Sequence, residues 1–138
     1  MHGEKVFADT NLFLRFLTND VPEKAEAVES LFRNAGRGHP ELVTTPLVIV
    51  EIVRALESHY HCTRPDIAGK VLAILNTPGL EVENSDLLIR AAVWYSEKNI
   101  DFIDAYNAAW MIKNGIAEVR TFDLRHFKRI EGIDPKEP

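Results

Sequence analysis

The chain has 138 residues, 46% hydrophobic and 27% charged, which suits one compact domain and excludes a disordered polymer. Lys and Arg number 16 against 21 Asp and Glu, a formal charge of −5, so bulk positive charge is not what holds any nucleic-acid partner. One cysteine, Cys62, excludes an internal disulfide and a cysteine-only zinc centre. No apolar run reaches the roughly 18–20 residues of a membrane span, and no basic head leads into an apolar stretch at the N-terminus. The expectation is a single cytoplasmic domain, residues 1–138, with no membrane association.

In chain order, residues 5–8 predict a short buried strand that ends at Asp9. Asp9, Thr10 and Asn11 supply side-chain oxygens for a turn or a helix cap. Leu12, Phe13, Leu14, Phe16 and Leu17 then predict a short, mostly buried helix. Asp20, as a capping residue ahead of Pro22 and Glu23, predicts a second helix that ends at Gly36 and Gly38. Residues 42–45 predict a strand, and the apolar run 47–56 a helix with a single acid, Glu51. Thr63 opens a helix with Ile67, Val71, Leu72 and Leu75 at helical spacing. Residues 80–83 alternate like a strand, and Ser85 with Asp86 caps a helix to about residue 97. Residues 100–113, rich in small side chains, predict a helix, and 118–122 a strand followed by Asp123. The tail from Ile133 reads as loosely ordered. Strands that alternate with helices predict an α/β fold, a parallel sheet flanked by helices, with its site at the carboxyl ends of the strands.

Each acid taken singly has an ordinary role open to it. Asp9 and Asp123 suit turns or caps, Glu51 suits a pair with Arg54 one turn on, and Asp101 suits the N-cap of the helix that carries Asp104. Jointly they read differently. Glu51 is the only charge between Leu47 and Val53, and an unpaired buried carboxylate costs several kcal/mol. Ala105, Ala108 and Ala109 let the backbone around Asp104 pack closely. Carboxylates gathered on one edge repel one another unless a cation lies among them, and oxygen ligands select Mg²⁺ or Mn²⁺. His59 and His61 stand two apart and His2, His39 and His126 stand alone, so no histidine metal centre is expected. The phosphate-cradling glycine loops and the G-x-S-x-G elbow are absent from the sequence.

The ordered set Val6-Phe-Ala-Asp9-Thr-Asn11, Glu51, Asp101-Phe-Ile-Asp104-Ala and Thr121-Phe-Asp123 resembles the motifs of PIN-domain ribonucleases. The stretch from Asp9 to Asp20 is similar to the opening segment of the VapC-type toxins of toxin–antitoxin pairs. The resemblance implies a parallel five-stranded sheet flanked by helices, and an endoribonuclease that hydrolyses RNA phosphodiesters with Mg²⁺ or Mn²⁺. It implies metal-binding acids at Asp9, Glu51, Asp104 and Asp123, with Asn11 and Thr121 as supporting polar residues. Asp101 is a second acid in the third motif and is carried as a supporting residue. It further implies a cognate antitoxin partner and a homodimer. Arg15 and Arg54, one turn from Asn11 and Glu51, are candidate contacts to RNA phosphates, and Arg120, Arg125, Lys128 and Arg129 form the densest basic segment.

Two other classes compete. A receiver-like phosphoacceptor domain shares the acidic strand ends, but here Asp9 lacks an acidic neighbour and no Lys follows the last patterned strand before Asp123. A non-enzymatic α/β binding protein needs none of the acids to act together.

Overall fold

A computed structural model describes residues 4–138. His2 therefore lies outside the described residues. The chain forms two compact units, divided between Ser85 and Asp86.

The first unit contains β1 (Lys5–Phe7), α1 (Thr10–Thr18), α2 (Pro22–Gly36), β2 (Glu41–Thr44), α3 (Pro46–Ser58), α4 (Arg64–Leu75) and β3 (Leu80–Val82). The strands form a parallel sheet in the order β1-β2-β3, with Val6 opposite Leu42 and Val43 opposite Glu81. Central β2 buries Leu42 and Thr44. β1 differs from expectation. Lys5, Val6 and Phe7 are exposed, and burial begins only at Ala8, where the chain leaves the strand. α1 is also less buried than its apolar content suggests. Only Thr10 and Phe13 are enclosed, because the helix presents one narrow face to α2, where Phe13 and Phe16 pack on Phe32 at ring separations of 5.7 and 5.2 Å.

Pro22 opens α2, with a ring-fixed φ already suited to the first helical position. The residue at the cap position is Val21 rather than Asp20, whose carboxylate is taken by other partners described below. In α3 the residues Val48, Ile49, Ile52, Val53 and Leu56 form the buried stripe. Glu51 and Arg54 fall on the opposite, exposed face, so the desolvation expected for Glu51 does not arise. Helical geometry turns the acid of an apolar run outward when its neighbours at 48, 49, 52 and 53 occupy the inward stripe. The Thr63 hydroxyl accepts from the Asp66 amide and starts α4 as expected.

Gly79 closes this unit. Its φ of +81° is one that side chains resist, and its carbonyl accepts from the Leu42 amide at 3.0 Å. β3 thereby enters the sheet immediately beside the end of α2.

The second unit holds α5 (Ser85–Glu97), which opens at the division, α6 (Phe102–Lys113), β4 (Glu118–Arg120), α7 (Leu124–Phe127) and β5 (Asp134–Lys136). β4 and β5 pair in parallel, Glu118 opposite Asp134 and Arg120 opposite Lys136. The five strands are thus present and their pairings parallel, but they are hydrogen-bonded as sheets of three and two strands rather than as one sheet of five. Strands of three or four residues carry too few ladder bonds for pattern alone to specify which neighbours join. The tail is the second correction. Residues 134–136 form β5, held by the Asp134 amide on Ala117 O, the Thr121 amide on Lys136 O and a Lys136–Glu118 ion pair of 3.1 Å. Pro135 hides this strand from a periodicity reading, yet it is tolerated where the ladder asks no donor of it. No helix among the described residues is long and apolar enough to cross a membrane.

Candidate metal centre

In the first unit, Asp9 is the residue immediately before α1, and its side chain makes no capping bond. The peptide that carries it is fixed from both sides. The Ala8 amide donates to Val43 O at 2.9 Å, and the buried Thr44 hydroxyl donates to Ala8 O at 2.8 Å. The exposed Asp9 carboxylate therefore projects from a backbone hydrogen-bonded on both sides to β2. Thr10, 8% exposed, donates its hydroxyl to Glu51 Oε1 at 3.1 Å and joins the start of α1 to the exposed face of α3. Glu51 thus has a threonine partner rather than the Arg54 partner weighed from the sequence. Asp9, Thr10, Asn11, Glu51 and Arg54 line one open cleft of about 500 Å³, with Leu14 and His59 among the rest of its wall. Arg54 is exposed there, with no side-chain ion pair or hydrogen bond among the described residues.

Arg15 is differently placed. Its Nη1 donates to both carboxylate oxygens of Asp20 at 3.1 Å, and the same carboxylate accepts from Thr18 and from the Tyr60 hydroxyl at 3.0 Å. Desolvation pushes the Asp20 carboxyl up, but the Tyr60, Thr18 and Arg15 hydrogen bonds and the Arg15 charge together hold it below its ordinary value. With the folded value depressed, the contribution of this ionised network is fully present above the unfolded pKa of about 4 and is lost as pH falls through the folded value. Asp20→Asn is accordingly expected to melt below the parent at neutral pH and to converge on it as the pH drops below about 4. Melting curves from pH 7 to pH 3 check this, and a constant gap would deny the ionic contribution.

In the second unit, Asp101 caps α6. Its Oδ2 accepts from the Ile103 amide at 3.2 Å, which settles this acid in the capping role weighed for it. Asp104 lies in the first turn of α6, where the helix dipole favours a negative charge. Its Oδ2 stands 3.0 Å from His126 Nδ1. Asp123 precedes α7 without a side-chain capping bond, and its amide donates to the Thr121 hydroxyl at 3.0 Å, which shapes the turn that carries it. One ligand atom each from Asp104, Asp123 and His126 lies within 4.8 Å of the others. Two carboxylates and an imidazole at that spacing are a donor set suited to a divalent cation.

The sequence shows no histidine metal signature, and the structure sets one histidine, His126, beside two of the acids. His126 follows Asp123 by three residues, the spacing that brings side chains together over one helical turn, and that signal was in the sequence. Thr10 and Thr44 were also missed. Their roles depend on long-range contacts to Glu51 and Ala8 that no local pattern displays. The basic segment is smaller than its composition suggests. Arg120 is paired with Glu118 at 2.8 Å, and Arg129 donates to the carbonyls of Lys98 and Asn99. Arg125 and Lys128 remain exposed, without side-chain partners among the described residues.

The family model of the PIN domain matches residues 6–133. The chain is 34% identical over 122 residues to a VapC ribonuclease of Aquifex aeolicus, covering 88% of this chain and 89% of that protein. Among solved structures, it is similar to VapC20 of Mycobacterium tuberculosis, described as a toxin that cleaves the sarcin-ricin loop, at 22% identity with a TM-score of 0.41, over 87% of this chain and 91% of that one. The family match spans all of the acids considered above, and its extent together with the identity to a VapC ribonuclease leads to one conclusion: the chain belongs to the PIN-domain family, among its VapC ribonucleases.

Proposed function

We propose that the chain is a Mg²⁺- or Mn²⁺-dependent endoribonuclease, the toxin of a toxin–antitoxin pair, acting as a single nuclease domain over residues 1–138. The observation that carries this reading is the 34% identity to a VapC ribonuclease across 88% of the chain. Asp9, Glu51, Asp104 and Asp123 are the proposed metal-binding acids. None of the four is consumed as a helix cap or by a Lys or Arg ion pair among the described residues. When bound, the metal supplies Lewis acidity, lowering the pKa of water and polarising the scissile phosphate. The chain's own residues position the reaction. Thr44 and Val43 fix the peptide of Asp9, Thr10 orients Glu51, and Thr121 shapes the turn before Asp123. Asn11 lines the cleft beside Asp9, and Asp101 supports Asp104 by starting its helix. Water attacks phosphorus, the P–O3′ bond breaks, and the products are a 5′-phosphate and a 3′-hydroxyl.

Arg54 in the cleft, with no side-chain partner among the described residues, suits an RNA phosphate, whereas Arg15 is held by Asp20. Arg54→Ala is expected to weaken RNA binding and to lower the slope of log affinity against log salt by about 0.7, the release expected for one contact to single-stranded RNA. Arg15→Ala is expected to change the slope less. Binding isotherms at several salt concentrations check both, and an unchanged slope for Arg54→Ala removes it from the interface.

Thr10→Val keeps the shape of the side chain but frees Glu51. It is expected to cut turnover about 10-fold, the scale on which partners of metal ligands act, at a stability cost of about 1 kcal/mol. Thr10→Ser is expected to restore most of the rate. Equal rates for parent and Thr10→Val would leave Thr10 a structural residue only.

The proposed setting is cytoplasmic, with a cognate antitoxin and a homodimer as partners. The direct test of the function is incubation of the purified chain with end-labelled RNA in Mn²⁺, in Mg²⁺ and in EDTA. Endonucleolytic fragments with 5′-phosphates in either metal, and none in EDTA, are expected. Intact RNA throughout would favour a non-enzymatic binding protein.

A further inference from the structure

We propose that His126 is a nitrogen ligand of the metal at Asp104 and Asp123, so that this part of the site prefers a transition ion such as Mn²⁺ over Mg²⁺. The inference rests on the proposed metal-dependent reading and adds a residue to it.

His126 Nδ1 faces two groups with opposite demands. The Asp101 amide points its hydrogen at Nδ1 from 3.3 Å and asks for the lone pair, while Asp104 Oδ2 at 3.0 Å asks for a proton on the same atom. A ring nitrogen meets one demand or the other. With the ring hydrogen on Nε2, the Nδ1 lone pair lies against the oxygen lone pairs of Asp104, and with it on Nδ1, an N–H turns toward the Asp101 N–H. A cation shared by Nδ1 and Oδ2 removes the clash between the two lone pairs in exchange for the longer, 3.3 Å hydrogen bond from the Asp101 amide.

The spacing agrees with that reading. Two donors about 2.1 Å from one ion, at right angles, stand about 3.0 Å apart. The observed separation of Nδ1 and Oδ2 is 3.0 Å. Asp123 brings a third donor, with one ligand atom from each of the three residues within 4.8 Å of the others. His126 is held where this requires, on the short helix α7 that follows Asp123, with Phe127 beside it in the core. An imidazole in an otherwise oxygen set shifts preference along the transition series and away from Mg²⁺, which takes oxygen donors.

The test uses the full chain and the metal alone. Pulsed EPR of the Mn²⁺-loaded protein is expected to show ¹⁴N coupling from a bound imidazole, and His126→Gln is expected to abolish it. In melting titrations, His126→Gln is expected to raise the Mn²⁺ concentration for half-maximal stabilisation at least tenfold, and the Mg²⁺ concentration less than threefold. An absence of ¹⁴N coupling in the parent, coupling that survives in His126→Gln, or an equal loss for both ions would overturn the proposal. Asp104→Asn separates the two layers of the argument. If Asp104→Asn loses the Mn²⁺ response while His126→Gln keeps it, this inference alone fails. If Asp104→Asn keeps it in full, the acids are not the metal site and both readings fall. The parent spectrum decides the matter even if His126→Gln does not fold.

Discussion

Asp104→Asn is expected to reduce metal-dependent RNA cleavage at least a thousandfold while leaving the fold in place. The substitution keeps size and shape but removes the charge of one donor in the Asp104, Asp123 and His126 set. Losing transition-state stabilisation of about 4 kcal/mol gives that factor. Asp9→Asn is expected to behave alike. Asp101→Asn is expected to cost far less, because the amide oxygen still caps α6. Melting curves complete the test. Millimolar Mn²⁺ is expected to stabilise the parent by mass action, by about 2.7 kcal/mol when the ion is at a hundred times its Kd, and to stabilise Asp104→Asn much less. In EDTA, repulsion among acids alone would make Asp104→Asn the more stable protein. The variant is accordingly expected to melt a few degrees above the parent in EDTA. Full cleavage by Asp104→Asn, or an equal Mn²⁺ shift in both proteins, would remove Asp104 from the site.

Gly79→Ala is expected to be the most damaging single-methyl change in the first unit. A Cβ at this position runs into the Ala35 carbonyl group and stands 2.8 Å from the Gly36 nitrogen, and both are backbone of the end of α2. The φ of +81° adds strain of its own. Overpacking against rigid backbone and an unfavourable φ together cost about 3–5 kcal/mol, which in a chain of this size lowers Tm by about 10 °C or more. Gly38→Ala is the informative control, since its φ of +100° is strained but nothing lies within 4 Å of the added carbon. It is expected to cost only the backbone strain. Thermal unfolding of both variants checks the difference, and equal losses would show that the contact with α2 contributes nothing.

Much of the architecture follows from local chemistry. Pro22, Thr63 and Asp101 stand at or beside helix starts because each forgoes or satisfies a first-turn donor, and each of these signals acts within three residues of its own position. The acids at positions 9, 51, 104 and 123 were legible as an ordered set. Their surroundings were less so. Glu51 looked buried because its run is apolar, and only the phase of the helix shows that it faces outward. Asp20 looked like a cap, but Arg15, Thr18 and Tyr60 compete for its carboxylate, and Tyr60 is 40 residues away. β5 was invisible because a three-residue strand with a central proline has no period to detect. His126 stands alone among the histidines, and its one sequence signal is the acid three residues earlier, Asp123.

The bonds around Ala8 bear on the thermodynamics of the ion binding proposed at Asp9. Its amide and carbonyl are both engaged by β2, and the residue is wholly buried, so the backbone beneath the Asp9 carboxylate is ordered once the sheet forms. The conformational entropy of that segment is lost on folding rather than on ligation, about 1–2 kcal/mol per residue. Ion capture at Asp9 then has to restrain little more than the side-chain torsions, which is preorganisation in its simplest form. A chain that keeps Asp9 but loses the Thr44 hydroxyl would carry the same charge on a looser tether, and part of that ordering would have to be done by the ion.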